Sequence, residues 1–390
     1  MSSPTGRSFP WLFSATTDLL AFLGSALLAL GLLILGWALG WTNQETPDWL
    51  WIAAVVLIDV AHVYATAFRT YFDPTEFRRR IWLYTLVPLL AFANGAALYS
   101  EGHMLFWRML AYLAVFHFVR QQYGWVALYR SRAKDEGVTG KVIDSTAIYL
   151  ATIYPLVYWH CHPRNFAWFV NTDFAQIPAA AERILAPIYW AALGLYAIRL
   201  IYQGLWRGTW NPGKDIVVAT TAICWYVGIV TFDSDYAFTV TNVIIHGIPY
   251  IVLVGWYRER RPSATADPGR VWQTGSDPLR ESDLQGESIA LPRVSPLLPQ
   301  AARGRWRKIL FFVSVLWVLA FAEELFWDCG IWHERSWLFG RPWDIGNFDT
   351  FLVPLLAIPQ ITHYILDSFI WRRRSNPEFA SALHLPRSSA

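Results

Sequence analysis

Four histidines, His62, His117, His246 and His363, are the residues of this 390-residue chain best placed to do chemistry. Each stands inside an apolar run and belongs to a polar stripe at helical spacing. The stripes are Asp59, His62, Thr66, Arg69; His117, Arg120 or Gln121, Gly124; Thr239, Asn242, His246, Pro249; and Gln360, His363, Asp367. Steps of three and four keep each set on one helix face. In lipid such a face must turn inward. Imidazole suits iron, zinc and copper, and histidine plus carboxylate with open positions is the ligand set of non-haem iron oxidation. The expected metal ligands are therefore the four histidines, with Asp59 and Asp367 completing the shell or orienting ring nitrogens. Iron is the expected metal, mono- or dinuclear, with zinc and copper as the alternatives. The stretch "FHFVRQQYGW" (116–125) adds Arg120, Gln121 and Tyr123 as expected catalytic residues. Arg120 is expected to pair with Asp59 or Asp367, or to meet a substrate carbonyl or carboxylate, and Tyr123 to act as a hydrogen donor.

The elements that must position these side chains are membrane spans. Of the residues, 55% are hydrophobic and only 16% charged, against about 25% charged in a typical soluble domain. The apolar residues fall in blocks of about 20, the length that crosses a bilayer as helix. Ten spans are expected: 18–41, 49–71, 81–99, 104–127, 143–160, 184–203, 215–231, 236–257, 308–328 and 351–371. The histidine-bearing spans are the second, fourth, eighth and tenth, which all run the same way through the bilayer. Their histidines lie 13, 13, 10 and 12 residues from the expected outer ends at Trp49, Met104, Tyr236 and Phe351. At 1.5 Å per residue they share one layer to within roughly 5 Å. Polar residues also serve as glue between helices, but glue has no reason to choose one depth.

Lys and Arg set the expected direction. With the N-terminus inside, only Arg108, Arg164, Arg183, Arg335 and Arg341 fall outside. Both termini are expected in the cytoplasm and the chain in a cell (inner) membrane. The expected organisation is an all-α polytopic bundle: eight spans in 1–257, a disordered cytoplasmic linker over 258–307, two further spans of the same bundle in 308–372, and a tail over 373–390. The linker expectation rests on its Pro, Ser, Gly and charge content. Asp144, at a cytoplasmic helix start, is expected as an N-cap. The cysteines Cys161, Cys224 and Cys329 form no CxxC pair, which argues against zinc-ribbon and thioredoxin-like sites. No P-loop, GxGxxG or basic-aromatic nucleic-acid pattern is present.

A second cluster is expected nearer the outer face. Glu323 and Glu324 are placed near His160, Cys161 and His162, a weaker metal candidate because H-x-H alone says little. A metal buried at mid-bilayer depth acts on a substrate that arrives through lipid. The expected partners are the bilayer and a lipophilic small molecule such as an acyl chain, isoprenoid or carotenoid, with no nucleic acid. Scattered single histidines on several spans resemble, in plan, polytopic membrane non-haem iron enzymes, including bacterial carotene-cleaving dioxygenases. The HxxxH and HxxHH boxes of membrane desaturases and hydroxylases are absent. The expected function is a metal-dependent membrane oxidoreductase. The alternatives are a proton-coupled transporter using the same His and Asp residues as a relay, and a haem-binding electron-transfer protein.

Overall fold

The computed structural model describes residues 9–42, 44–261 and 300–386, and is helical with no strand among them. Most of the expected linker, 262–299, lies outside the described residues. Ten long helices carry the fold: α1 (Ala15–Ala38), α2 (Asp48–Arg69), α3 (Ile81–Glu101), α4 (His103–Arg132), α5 (Val138–Cys161), α6 (Ala180–Arg207), α7 (Pro212–Thr231), α8 (Asp235–Arg260), α9 (Gly304–Trp332) and α10 (Gly346–Ile370). Eight of them are long and apolar enough to cross a membrane; the other two, α4 and α5, run 30 and 24 residues. The two differ because they carry the polar groups: α4 holds Arg108, His117, Arg120, Gln121 and Gln122 within its length, and α5 holds Lys141 and Asp144.

The outer surface fits a membrane setting. Leu20, Ile34, Leu89, Ile198, Phe311 and Val318 are among many large apolar side chains left exposed. A water-soluble monomer seldom exposes contiguous apolar surface on this scale. Exposed Trp37, Trp49, Trp82, Trp206 and Trp337 lie near helix ends, as interfacial tryptophans do.

Helix α8 is the axis of the bundle, with 83% of its most apolar window buried. It packs on α2, α1 and α7, while α10 packs on α2, α3 and α4. Helix α9 covers α2, and α6 lies on the periphery against α5. The two helices after the undescribed segment therefore close the same bundle. A glycine makes the central approach possible: a Cβ on Gly247 would come within 2.6 Å of Ile58 Cγ2 and 3.1 Å of the Ile58 carbonyl oxygen. Gly247→Ala is expected to force α2 and α8 apart and cost about 1–3 kcal/mol, the range for overpacked cores. Thermal denaturation in detergent checks this, and wild-type behaviour would mean the contact has slack.

Three of the four histidines follow a local irregularity of their helix. In α2 a π-helical stretch covers Trp51–Val60, ending two residues before His62. In α8 another covers Thr239–Val243, ending three residues before His246. In α10 the helix breaks at Ala357, with Pro359 in the first turn of the continuing segment that carries His363. Proline lacks the N–H a continuous helix would need there, and widened π turns rotate everything downstream, a device common at functional sites. Only α4 reaches its histidine as unbroken α-helix.

Candidate metal centre

The four histidines meet. Ring centroids lie 4.8 Å apart for His62 and His246, 4.9 Å for His62 and His363, 4.5 Å for His117 and His363, and 5.2 Å for His117 and His246. All four are at most 4% exposed. Two overlapping ligand sets share His117: His62, His117 and His246 form one, and His117, His363 and Asp367 the other. Within each, one donor atom per residue lies within 4.8 Å of the others. Ligands at about 2.0–2.2 Å from one ion sit about 3–4.4 Å from each other. The sets thus need only side-chain adjustment to close on an ion.

The hydrogen bonds around His363 determine which nitrogen is free. Tyr250 Oη donates to Asp367 Oδ1 at 2.6 Å. Having spent its one proton, it must accept at 2.7 Å from Thr66 Oγ1, whose proton is then also spent. Thr66 Oγ1 lies 2.7 Å from His363 Nδ1, so Nδ1–H is the donor and Nε2 keeps its lone pair. That bare Nε2 faces His117 Nε2 at 3.2 Å. Two nitrogens so close need a proton or a cation between them. Asp367 reaches past the same rings, with Oδ2 3.9 Å from His117 Nδ1 and Oδ1 3.8 Å from His363 Nδ1. Neither approach is a hydrogen bond, and Asp367 acts on the His363 ring through Tyr250 and Thr66.

His62 and His246 are different. Neither nitrogen of either ring has a hydrogen-bond partner, although both rings are buried. Asp59 Oδ1 comes within 3.4 Å of His62 Nδ1 without the alignment of a hydrogen bond, and that oxygen is itself unpartnered. The Phe118 ring lies flat on His246, 3.5 Å away and 5° from parallel, and Gln121 Nε2 donates to the His246 carbonyl at 2.9 Å. These contacts fix the ring while leaving its nitrogens bare. An unsatisfied buried polar atom costs about 1–3 kcal/mol, so four of them on two rings ask for a ligand.

The other expected residues are distributed differently. Gln121 touches the cluster through that carbonyl bond, but Arg120 pairs with neither Asp59 nor Asp367. Three residues past His117 it has turned outward, donating to Tyr149 Oη and lying 5.0 Å over the Tyr123 ring. Tyr123 stacks on Tyr149 at 4.9 Å. Arg69, in the α2 stripe, leaves the chamber to bond Asn376 Oδ1 at 3.2 Å and approach Glu76 at 3.5 Å. Glu323 does not join His160 and His162. It accepts from Gln360 Nε2 at 2.9 Å and Trp327 Nε1 at 3.2 Å, which ties it to the turn preceding His363. His160 bonds Tyr112 Oη and the Leu156 carbonyl, and His162 the Tyr158 carbonyl. Among the described residues no metal-competent group includes them. Asp144 is not a cap. It lies a turn and a half inside α5, fully buried, with Arg130, Arg199 and Lys214 all on its carboxylate. Tyr250 and Tyr364 were not singled out by the stripes, yet Tyr250 relays Asp367 to His363 and the Tyr364 ring lies 4.9 Å from His117. The available signal was Tyr250 four residues after His246, on the same face.

No family model, curated protein or solved structure matches the chain.

Proposed function

We propose that the chain is a membrane-embedded, metal-dependent oxidoreductase whose metal is bound by His62, His117, His246 and His363, with Asp367 and Asp59 beside them. The observation that carries this reading is the convergence of four buried imidazoles of which two, His62 and His246, have both nitrogens without a partner. Iron in an imidazole and carboxylate shell with open positions supplies oxidation of lipid-soluble substrates such as an acyl chain, isoprenoid or carotenoid, with dioxygen as oxidant. The protein's own part is to keep Nε2 of His363 bare through the Asp367–Tyr250–Thr66 chain, to hold His246 flat against Phe118, and to exclude water from the chamber. A haem reading fits less well, because four rings in mutual contact leave no slot for a macrocycle. The proton-relay reading draws support from the connected chain Asp367–Tyr250–Thr66–His363. The bare nitrogens of His62 and His246 count against it, since a relay needs neighbours on both sides.

Elemental analysis of detergent-purified protein tests the reading: one or two iron, zinc or copper ions per chain are expected. Metal-free protein that moves a solute in proteoliposomes would sink it in favour of the relay.

The same proposal places ten spans in a cell (inner) membrane with both termini in the cytoplasm. Reporter fusions after Arg80, Arg132 and Lys214 are expected to report cytoplasm, and fusions after Asn165, Asp233 and Trp337 the opposite side. A cytoplasmic signal from Asn165 would remove α4 or α5 from the spanning set.

A further inference from the structure

A cleft of about 400 Å³ opens between α4, α8 and α10 on the side of the histidine layer toward the C-terminal ends of these helices. Its inner end is His117, Tyr250, Tyr364 and Asp367, the edge of the candidate metal centre, and its walls include Phe116, Trp125 and Leu253. Two guanidinium groups, Arg120 and Arg372, stand on its lining. The volume lies within the range of about 300–1,000 Å³ typical of small-molecule sites.

Both arginines are exposed on the cleft lining rather than packed in the bundle. Arg69, Arg130, Arg199 and Lys214 each have a carboxylate within ion-pair reach. Among the described residues Arg120 and Arg372 have none: Arg120 is held by a phenol and an aromatic face, and Arg372 lies 5.0 Å over the Phe369 ring. Arg120 is seven residues inside the expected inner end of its span at 127, about 10 Å along the axis. A guanidinium at that depth facing a cleft is costly without an anion. Arg120 is three residues beyond His117, an axial offset of roughly 4.5 Å, whereas Arg372 lies just past the end of α10, nine residues beyond His363 and in extended backbone.

We propose that this cleft binds the anionic head of a single-chain amphiphile, a carboxylate, between Arg120 and Arg372, with its apolar chain against Phe116, Trp125 and Leu253. Arg120 sets one side of the head group about one helical turn from the histidine layer, and Arg372 holds it from the end of α10. The identification of that layer as a reacting centre rests on the reading above; the binding of the head group does not. Guanidinium is suited to the head by its forked donors, which match a carboxylate in two parallel bonds.

The test is equilibrium binding of radiolabelled palmitate and hexadecanol to full-length protein in detergent, with phosphatidate as competitor and metal content measured on each sample. Wild-type protein is expected to prefer the acid over the alcohol. Arg120→Gln and Arg372→Gln are each expected to weaken palmitate about tenfold, the loss of one charge-assisted contact. Hexadecanol binding and metal content should stay at the wild-type level. Arg120→Lys, which keeps the charge, recovers part of the loss and guards against a folding artefact. Equal binding of acid and alcohol, or glutamine variants that bind palmitate as wild type does, overturns the proposal. Displacement of palmitate by equimolar phosphatidate reassigns the head to a phospholipid phosphate and overturns the single-chain assignment. Arginine-dependent palmitate binding by metal-free protein would leave this site standing and remove only the metal reading.

Discussion

Single replacement of His62, His117, His246 or His363 by Ala is expected to strip metal from the purified protein, at least tenfold relative to wild type, whichever of the four is changed. The geometry makes His117→Ala the most severe of the four. His117 belongs to both ligand sets, so its loss opens both, while each of the others removes one of three donors from its set. The nearest carboxylate oxygens to these rings belong to Asp367, already a donor of the second set, and to Asp59, 3.4 Å from His62 Nδ1. Asp59→Asn and Asp367→Asn are expected to fall between, with the losses of about 10–100-fold that follow removal of a carboxylate behind a metal-bound imidazole. Asp367 should be the more severe of the two, because it is itself a donor of one ligand set whereas Asp59 belongs to neither. His160→Ala and His162→Ala, whose rings bond a phenol and backbone carbonyls elsewhere, should keep wild-type metal. Metal retained after any one of the four central replacements would exclude that ring from the shell. Metal lost after His160→Ala would move the centre outward.

How much of this was legible in the sequence differs between periodicity and direction. Apolar blocks and stripes at steps of three and four give helices and the depth of each histidine, because both depend only on rise per residue. The convergence of His62 and His246 required more. It depends on π turns over Trp51–Val60 and Thr239–Val243 and on a backbone contact at Gly247, and none of these has a signature in residue type. Arg120 shows the limit from the other side. A step of three drifts about 60° from its partner at 100° per residue, enough to carry the guanidinium from the chamber to the cleft lining. Gln121, at a step of four, stayed with the histidines and found the His246 carbonyl. The end of its own helix points Glu323 toward the outer loops, yet the partner that ties it to the site, Gln360, comes from α10, a helix distant in sequence. Asp144 looked like a cap because helix starts attract acids. What identifies its role is three cations contributed by α4, α6 and α7, which no local window contains.

Asp144→Asn is accordingly expected to be the most destabilising change outside the histidine cluster. The carboxylate is fully buried and receives Arg130 Nη1 at 2.5 Å, Arg199 Nη1 at 2.6 Å, and Lys214 Nζ at 3.1 and 3.2 Å from its two oxygens. Asp135 bridges both arginines at 2.7 and 2.9 Å, and Asp215 lies 3.7 Å from the lysine, so three carboxylates balance three cations. Substituting the amide keeps the volume but leaves three cations facing two acids around a fully buried position. Breaking a buried ion pair from one side costs about 3–5 kcal/mol, and this carboxylate joins four helices at once. The measurable result is a large loss of monodisperse protein in detergent and a lowered thermal midpoint. Asp135→Asn should cost much less, because its side chain is 26% exposed and water replaces part of what is lost. The compensated pair Asp144→Asn with Lys214→Met restores the count of charges and should recover part of the stability, a coupling that a double-mutant cycle reads directly. If Asp144→Asn alone behaves as wild type, the cluster carries no net stability and α5 is held by its apolar face, through Ala147, Ile148 and Ala151.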